Sequence, residues 1–164
     1  MLFLAHVRLD GLKAVGGHGV LALFRCENDE GCETWEAGEG ANLAVVFREE
    51  GLVGAPPPQG NTVRPEVETV KLVSVGDTDY DGARLTWSRE EGRTPRWVLG
   101  QVGDRPAWLQ GDETAECPRC AASMDFVVQL EEGHNHRTAA NFGGGSAYAF
   151  ACRPCGEAAF LWQQ

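Results

Sequence analysis

Two cysteine pairs, Cys117-Pro-Arg-Cys120 and Cys152-Arg-Pro-Cys155, constrain what this chain can fold into more than any other feature. Each is C-x₂-C, and residues 121–151 separate them. A C-x₂-C turn sets two sulfurs on one side of a tight knuckle, and a second knuckle completes a tetrahedron. Four thiolates at this spacing suit Zn²⁺ with Zn–S bonds of about 2.3 Å. The intervening segment contains MDFVVQL (124–130) and AYAFAC (147–152), which read as two strands able to pair and bring the knuckles together. That is the logic of a zinc ribbon. Four cysteine ligands leave no open coordination position, so the site is expected to be structural rather than catalytic. Three other readings stay open. Two disulfides would need an oxidising compartment, and a redox C-x-x-C would need a helix N-terminus in a βαβ setting. Iron on four cysteines is chemically feasible.

Charge narrows the function. The chain has 164 residues with 14 Lys+Arg against 24 Asp+Glu, a formal net charge of −10. Such a balance opposes generic nucleic-acid binding, where cations must neutralise phosphates, and it opposes attraction to anionic lipid. No run of 18 apolar residues occurs, so no membrane span is expected. The opening MLFLAHVRLDG lacks a basic n-region and carries Arg8 and Asp10, unlike a signal peptide. The expected setting is cytoplasmic.

The other apolar stretches are also short and bounded by Gly, Pro, Asn or Asp: 1–9, 19–24, 42–47, 67–75, 96–102 and 158–163. That is strand punctuation, and the fold class expected is mainly β, a β-rich α+β domain. Residues 83–91 would make one short helix. Three consecutive prolines place a linker or long loop at 54–66. The chain therefore divides into a first β half (1–53), a linker and variable segment (54–95), and a second β half with the zinc ribbon (96–164), all within one domain. The halves resemble each other. Met1 aligned with Met124 sets MLFLAHV over MDFVVQL, and Gly19 aligned with Gly145 sets GVLALFRC over GSAYAFAC. Internal duplication of antiparallel β halves is the expectation, each covering the apolar face that the other cannot bury alone.

Weaker candidates follow. Cys26 aligns with Cys152, but its C-x₅-C spacing to Cys32 is too wide for a knuckle, and both read as reduced cysteines. Asp77-Thr-Asp79-Tyr-Asp81-Gly82 matches the first half of an EF-hand loop, yet position twelve is Ser88 where calcium wants a bidentate Glu. An acidic turn fits better. His134 and His136 lack an obvious third ligand and read as a polar loop. Phe142-Gly-Gly-Gly-Ser146 lacks the Gly-Lys-Ser/Thr ending of a phosphate loop and reads as a turn. Glu27, Asp29, Glu30, Glu33 and Glu36 concentrate acid beside Trp35, which suggests a docking face for a basic protein. His6, Trp108, Gln110 and Gln129 flank repeat-equivalent positions and would line a ligand pocket between the halves.

Several segments together resemble the YwqG-like family, a bacterial group of unknown function. MLFLAHVRL followed by GVLALFRC is similar to its opening, with His6 where the family usually has Gln. CENDEGCETWEAGEGANLAVV looks like one of its subgroups. LGQVGDRPAWLQG resembles its "GG-x-P-x-W-x-Q" motif, with Val102-Gly103 departing from the double glycine. CPRCAASMDFVVQL, NFGGGSAYAFACRPC and Phe160-Leu-Trp-Gln163 resemble its cysteine pair, its glycine-rich block and its closing strand. The second half is also similar to the eukaryotic programmed cell death protein 2 group. The resemblance implies an internally duplicated β fold and no established catalysis. It hints at ribosomal-protein handling in the eukaryotic relatives and at the company of toxin systems in some bacterial ones.

The functional expectation is a non-enzymatic, zinc-stabilised binding protein whose acidic surface holds a basic partner, in a chaperone-like or toxin-immunity role. The alternative is an enzyme or small-ligand binder using the pocket between halves. A nucleic-acid binder using Arg119 and Arg153 in the knuckles is a weaker third.

Overall fold

The computed structural model describes residues 1–10, 12, 18–26, 37–38, 40–50, 52–56, 66–76, 79–103 and 105–164. Seven strands and one α-helix follow in order: β1 (Leu2–Arg8), β2 (Val20–Arg25), β3 (Asn42–Phe47), α1 (Tyr80–Glu91), β4 (Gly100–Val102), β5 (Asp125–Glu131), β6 (Ser146–Cys152) and β7 (Glu157–Gln163). The strands form two antiparallel sheets, ordered β1-β2-β3 and β4-β5-β6-β7. The mainly β expectation holds.

The strand β6, SAYAFAC, shows how composition sets the layering. It is buried along its whole length, because both of its faces are covered. Its alanines Ala147, Ala149 and Ala151 face the first sheet, in a core with Leu21, Leu23, Phe160 and Trp162. Small side chains on that face let the two sheets approach. Its large residues Tyr148 and Phe150, with Cys152, point the other way, into a second cluster with Cys117, Met124, Phe126 and Leu161. Fully burying a side chain the size of Phe150 contributes about 1.5–3 kcal/mol.

The two meanders share geometry. In the first, a bulge falls between Phe3 and Ala5, as Phe3 pairs Phe24 and Ala5 pairs Leu23. In the second it falls between Phe126 and Val128, with Phe126 on Phe150 and Val128 on Ala149. These are the positions that the Met1–Met124 alignment superposes. Gly19 and Gly145 also correspond. A Cβ on Gly19 would meet the Phe47 carbonyl oxygen at 2.2 Å, and one on Gly145 the Gln163 carbonyl oxygen at 1.8 Å. The structure thus shows a common meander; shared ancestry is a sequence expectation and not a structural finding.

Three expectations change. The 67–75 stretch joins no sheet; Val67, Val70, Leu72 and Val73 are exposed. It is tied down instead by polar contacts, Glu66 to Arg137 at 2.6 Å and Thr138 Oγ1 donating to Glu68 at 2.6 Å. Strand propensity without a partner ladder did not decide the outcome. At 96–102, a 3-10 turn at Pro95–Trp97 replaces the first part of the expected strand, since Pro95 lacks the N–H a ladder needs. The expected helix at 83–91 begins at Tyr80, because the Asp79 side chain accepts from the Gly82 amide at 2.9 Å as an N-cap. Gly92, at φ 64°, closes the helix in the left-handed region. So Asp79 and Asp81 belong to a helix start; Asp77 lies outside the described residues. No helix among the described residues is long and apolar enough to cross a membrane.

Candidate metal centre

The first knuckle precedes β5. An isolated bridge between Glu116 and Ser123 closes its base, the Cys117 amide donates to the Ala122 carbonyl at 2.9 Å, and the Met124 amide to the Ala115 carbonyl at 2.9 Å. The second knuckle is the β6–β7 turn, since Cys152 ends β6 and Glu157 begins β7. Both are built alike. The residue after the second cysteine sits in the left-handed region, Ala121 at φ 56° and Gly156 at φ 70°. Each sends its amide back to the first cysteine's carbonyl at 2.8 Å, Ala121 to Cys117 and Gly156 to Cys152.

This brings the sulfurs of Cys117, Cys120, Cys152 and Cys155 within 4.8 Å of one another, the one such group of potential ligands found among the described residues. All four are free thiols. Cys120 Sγ lies 3.7 Å from Cys152 Sγ, far beyond a disulfide bond of about 2.05 Å. A tetrahedron with arms of about 2.3 Å has edges of about 3.8 Å, so this edge matches that of a tetrahedral thiophilic ion. Cys117 and Cys152 are buried against Phe126 and Phe150, whereas Cys120 is exposed.

The thiols are electrostatically unequal. Burial pushes Cys117 up, but hydrogen bonds from the amides of Arg119 and Cys120 and from the thiols of Cys152 and Cys120 bring it down to about 7. Cys155 is pushed up to about 12, by its neighbour Cys120 first and by burial second. Four sulfurs this close cannot all carry charge unless a cation joins them. The knuckle arginines are engaged, Arg119 with Glu157 and Arg153 with Asp125, each at 3.3 Å.

The other sequence candidates scatter. Cys26 is disulfide-bonded, which corrects the expectation of a reduced thiol there; Cys32 lies outside the described residues. So do Glu27, Asp29, Glu30, Glu33, Trp35 and Glu36, and with them the acidic docking face. His134 stacks on Trp97, centroids 3.7 Å apart, with the Arg93 guanidinium 4.3 Å from the same ring. The Gly143–Gly144 turn has both residues at positive φ, and the Glu132 carboxylate accepts from the Phe142 and Gly144 amides.

The four residues read as one pocket between halves do not meet. His6 lies on the outer face of the first sheet, with Phe3, Ala22 and Phe47. Trp108 and Gln129 line a polar cavity on the far face of the second sheet, and Gln110 lies in the adjoining loop. That face also holds Gln163 and Tyr148, which the sequence reading did not name as site residues. Gln129 and Gln163, each 1% exposed, clasp the loop 105–111. The Gln129 Oε1 accepts from the Ala107 amide at 2.9 Å. The Gln163 Oε1 accepts from the Gln110 amide at 3.0 Å, and its Nε2 donates to the Gly111 carbonyl at 2.9 Å. Tyr148 OH donates to the Ala107 carbonyl at 2.9 Å, and Trp108 packs on the Tyr148 ring at 4.5 Å. Lone glutamines inside apolar strands were the available signal, since a neutral amide in a buried strand must find partners.

Comparisons with known proteins give little more. No family model matches the chain, and no solved structure matches it. Sixty-seven residues are 34% identical to the uncharacterized protein YpfL of Salmonella typhimurium, covering 41% of this chain and 15% of that protein. The chain therefore matches a small fraction of that relative's length, and membership of the YwqG-like family is not shown by these comparisons.

Proposed function

We propose that this chain is a zinc-stabilised, non-catalytic interaction module that holds a basic protein partner. The observation that carries the metal half of this reading is the group of four free thiols within 4.8 Å, with an edge of 3.7 Å. Cys117, Cys120, Cys152 and Cys155 would hold a structural Zn²⁺, whose chemistry there is charge neutralisation and cross-linking. All four positions are protein ligands, so no site is left for an activated water. Iron on the same sulfurs is separated by its visible charge-transfer absorption, which zinc lacks. The test is metal content: one zinc per chain in the purified protein supports the reading. A metal-free chain with the same fold would end it.

The partner half rests on charge. A net −10, with acid gathered at 27–36, favours a basic protein over nucleic acid. The ion pairs at Arg119 and Arg153 point the same way, because those cations already face carboxylates. A cytoplasmic setting would suit the four free thiols, whereas the Cys26 disulfide belongs to a more oxidising one. A pull-down at low salt and again at about 0.5 M, where screening is severe, is the test. A ribosomal protein or a toxin recovered at low salt and lost at high salt supports it. Recovery of no basic protein overturns it.

A further inference from the structure

We infer that the groove on the outer face of the first sheet binds an extended peptide segment of the basic partner, seating one bulky apolar side chain over Ala22. The partner's charge rests on the reading above; the groove is a separate observation. Directly opposed residues of a sheet share a face. Ala22 therefore sits in a middle row beside His6, with Val20 and Phe47 in the row on one side and Phe3 and Phe24 in the row on the other. The hollow over them is about 350 Å³, and Leu52 adds to its wall. Phe47 and Leu52 remain 41% and 51% exposed, so the chain itself leaves this apolar surface in water. The groove lies outside the four-cysteine site and shares no residue with it.

The second sheet shows what such a face can hold. On its matching face lies the segment 105–111. Trp108 packs on the Tyr148 ring at 4.5 Å and on the Phe150 ring at 5.9 Å, and the amides of Gln129 and Gln163 take the segment's backbone. The first sheet has His6 at the position of Gln129, Ala22 at that of Tyr148 and Phe47 at that of Gln163. Alanine in place of tyrosine opens a hollow where the second sheet has a ring. Phenylalanine in place of glutamine turns a backbone-gripping amide into an apolar wall. The first face thus keeps the platform and asks for a side chain to fill it, while His6 offers ring nitrogens to a passing backbone.

Area and charge select the occupant. Three strands carrying seven residues each span about 14 Å by about 23 Å, roughly 300 Å². A stable complex of two folded chains buries about 800 Å² per partner. A second copy seated on this face alone falls well short, whereas one extended segment crossing it fits. At the groove's end the Arg8 guanidinium donates to both Asp10, at 2.9 Å, and Glu49, at 2.6 Å. One positive charge against two negative leaves this rim negative, which favours lysine or arginine beside the apolar anchor.

The experiment is fluorescence anisotropy of labelled synthetic peptides titrated with the zinc-loaded full chain. The peptides are lysine-flanked with a central tryptophan, leucine or alanine, and one is glutamate-flanked with a central tryptophan. The tryptophan or leucine peptide is expected to bind at least about tenfold more tightly than the alanine peptide, the scale of burying one large apolar side chain. Lysine flanks are expected to bind more tightly than glutamate flanks. Ala22→Tyr, which fills the hollow as Tyr148 does on the second sheet, is expected to weaken binding about tenfold, and Phe47→Ser about fivefold, with zinc content and melting temperature held. If Ala22→Tyr unfolds, Phe47→Ser alone decides. Equal binding of the alanine or the glutamate-flanked peptide overturns the inference. So does unchanged affinity in Phe47→Ser, or a dimer in sedimentation equilibrium that Phe47→Ser dissociates. The pull-down reads the partner separately. A basic protein captured equally by Phe47→Ser overturns the groove alone, and peptides bound by a chain that recovers no basic protein overturn the partner reading alone.

Discussion

The two meanders follow the same path with the same bulge, yet they are supported differently. β1-β2-β3 has one buried face, carried by Leu21 and Leu23, while Phe3 and Phe47 sit on an outer face over which the described residues place no layer. β5-β6-β7 is buried on both faces, because cysteine knuckles and the loop at 105–111 cover the side away from the first meander. One backbone plan thus serves as a cover in the first unit and as a centre in the second. What differs is the set of side chains at matching positions: Cys152, Tyr148 and Gln163 have as counterparts Cys26, Ala22 and Phe47.

The largest way to break this comparison is to remove the cross-link. Zinc in small cysteine sites supplies about 10–16 kcal/mol of folding energy, against net domain stabilities of about 5–15 kcal/mol. Chelation, or Cys120→Ser, is expected to abolish the near-ultraviolet circular dichroism of Trp108 and Tyr148 and to unprotect amides of β5–β7. An unchanged thermal midpoint would show that the knuckles stand without metal. The next effect contrasts equivalent rings. Phe150→Ala empties a fully buried position and should cost about 3–5 kcal/mol, while Phe24→Ala, half-buried, should cost about half that or less. Equal losses by denaturant titration would erase the asymmetry between units.

Backbone contacts should behave alike in both units. Gly19→Ala and Gly145→Ala each drive a methyl into a facing strand carbonyl, a clash of overpacking scale, about 1–3 kcal/mol. The smallest effect separates the knuckles. Gly156→Ala puts a Cβ in the left-handed region and should cost about 1–2 kcal/mol, whereas Ala121→Gly should be neutral or stabilising by about 1 kcal/mol. Opposite signs in thermal melts of the metal-loaded protein would sharpen the equivalence of the turns, and matching signs would refute it.

The cysteine spacing, the strand punctuation and the repeated Gly-x₄-Phe-x-Cys blocks made the sheets and the metal centre legible, because each is local or repeats a fixed offset. What stayed hidden depended on distant partners. VETVKLVSV has the composition of a strand, but no ladder reaches it, so propensity misled. Asp79 read as part of an acidic turn until the Gly82 amide showed it capping a helix. His6 and Gln129 were grouped by sequence offset, yet the sheets turn their faces apart. The groove over Ala22 escaped notice altogether, since nothing nearby in sequence announces that Phe3 and Phe47 will flank it.

The loop at 105–111 is held by Gln129 and Gln163, whose amides give and accept at once and carry no charge. Neither ionic strength nor pH between the carboxylate and lysine ranges changes what an amide offers. The surface ion pairs at the knuckles will weaken in brine, but this clasp will not. The loop at 105–111 is therefore a salt-blind element in a strongly acidic protein, and its seat on the second sheet should stay constant across conditions that alter everything the −10 surface attracts.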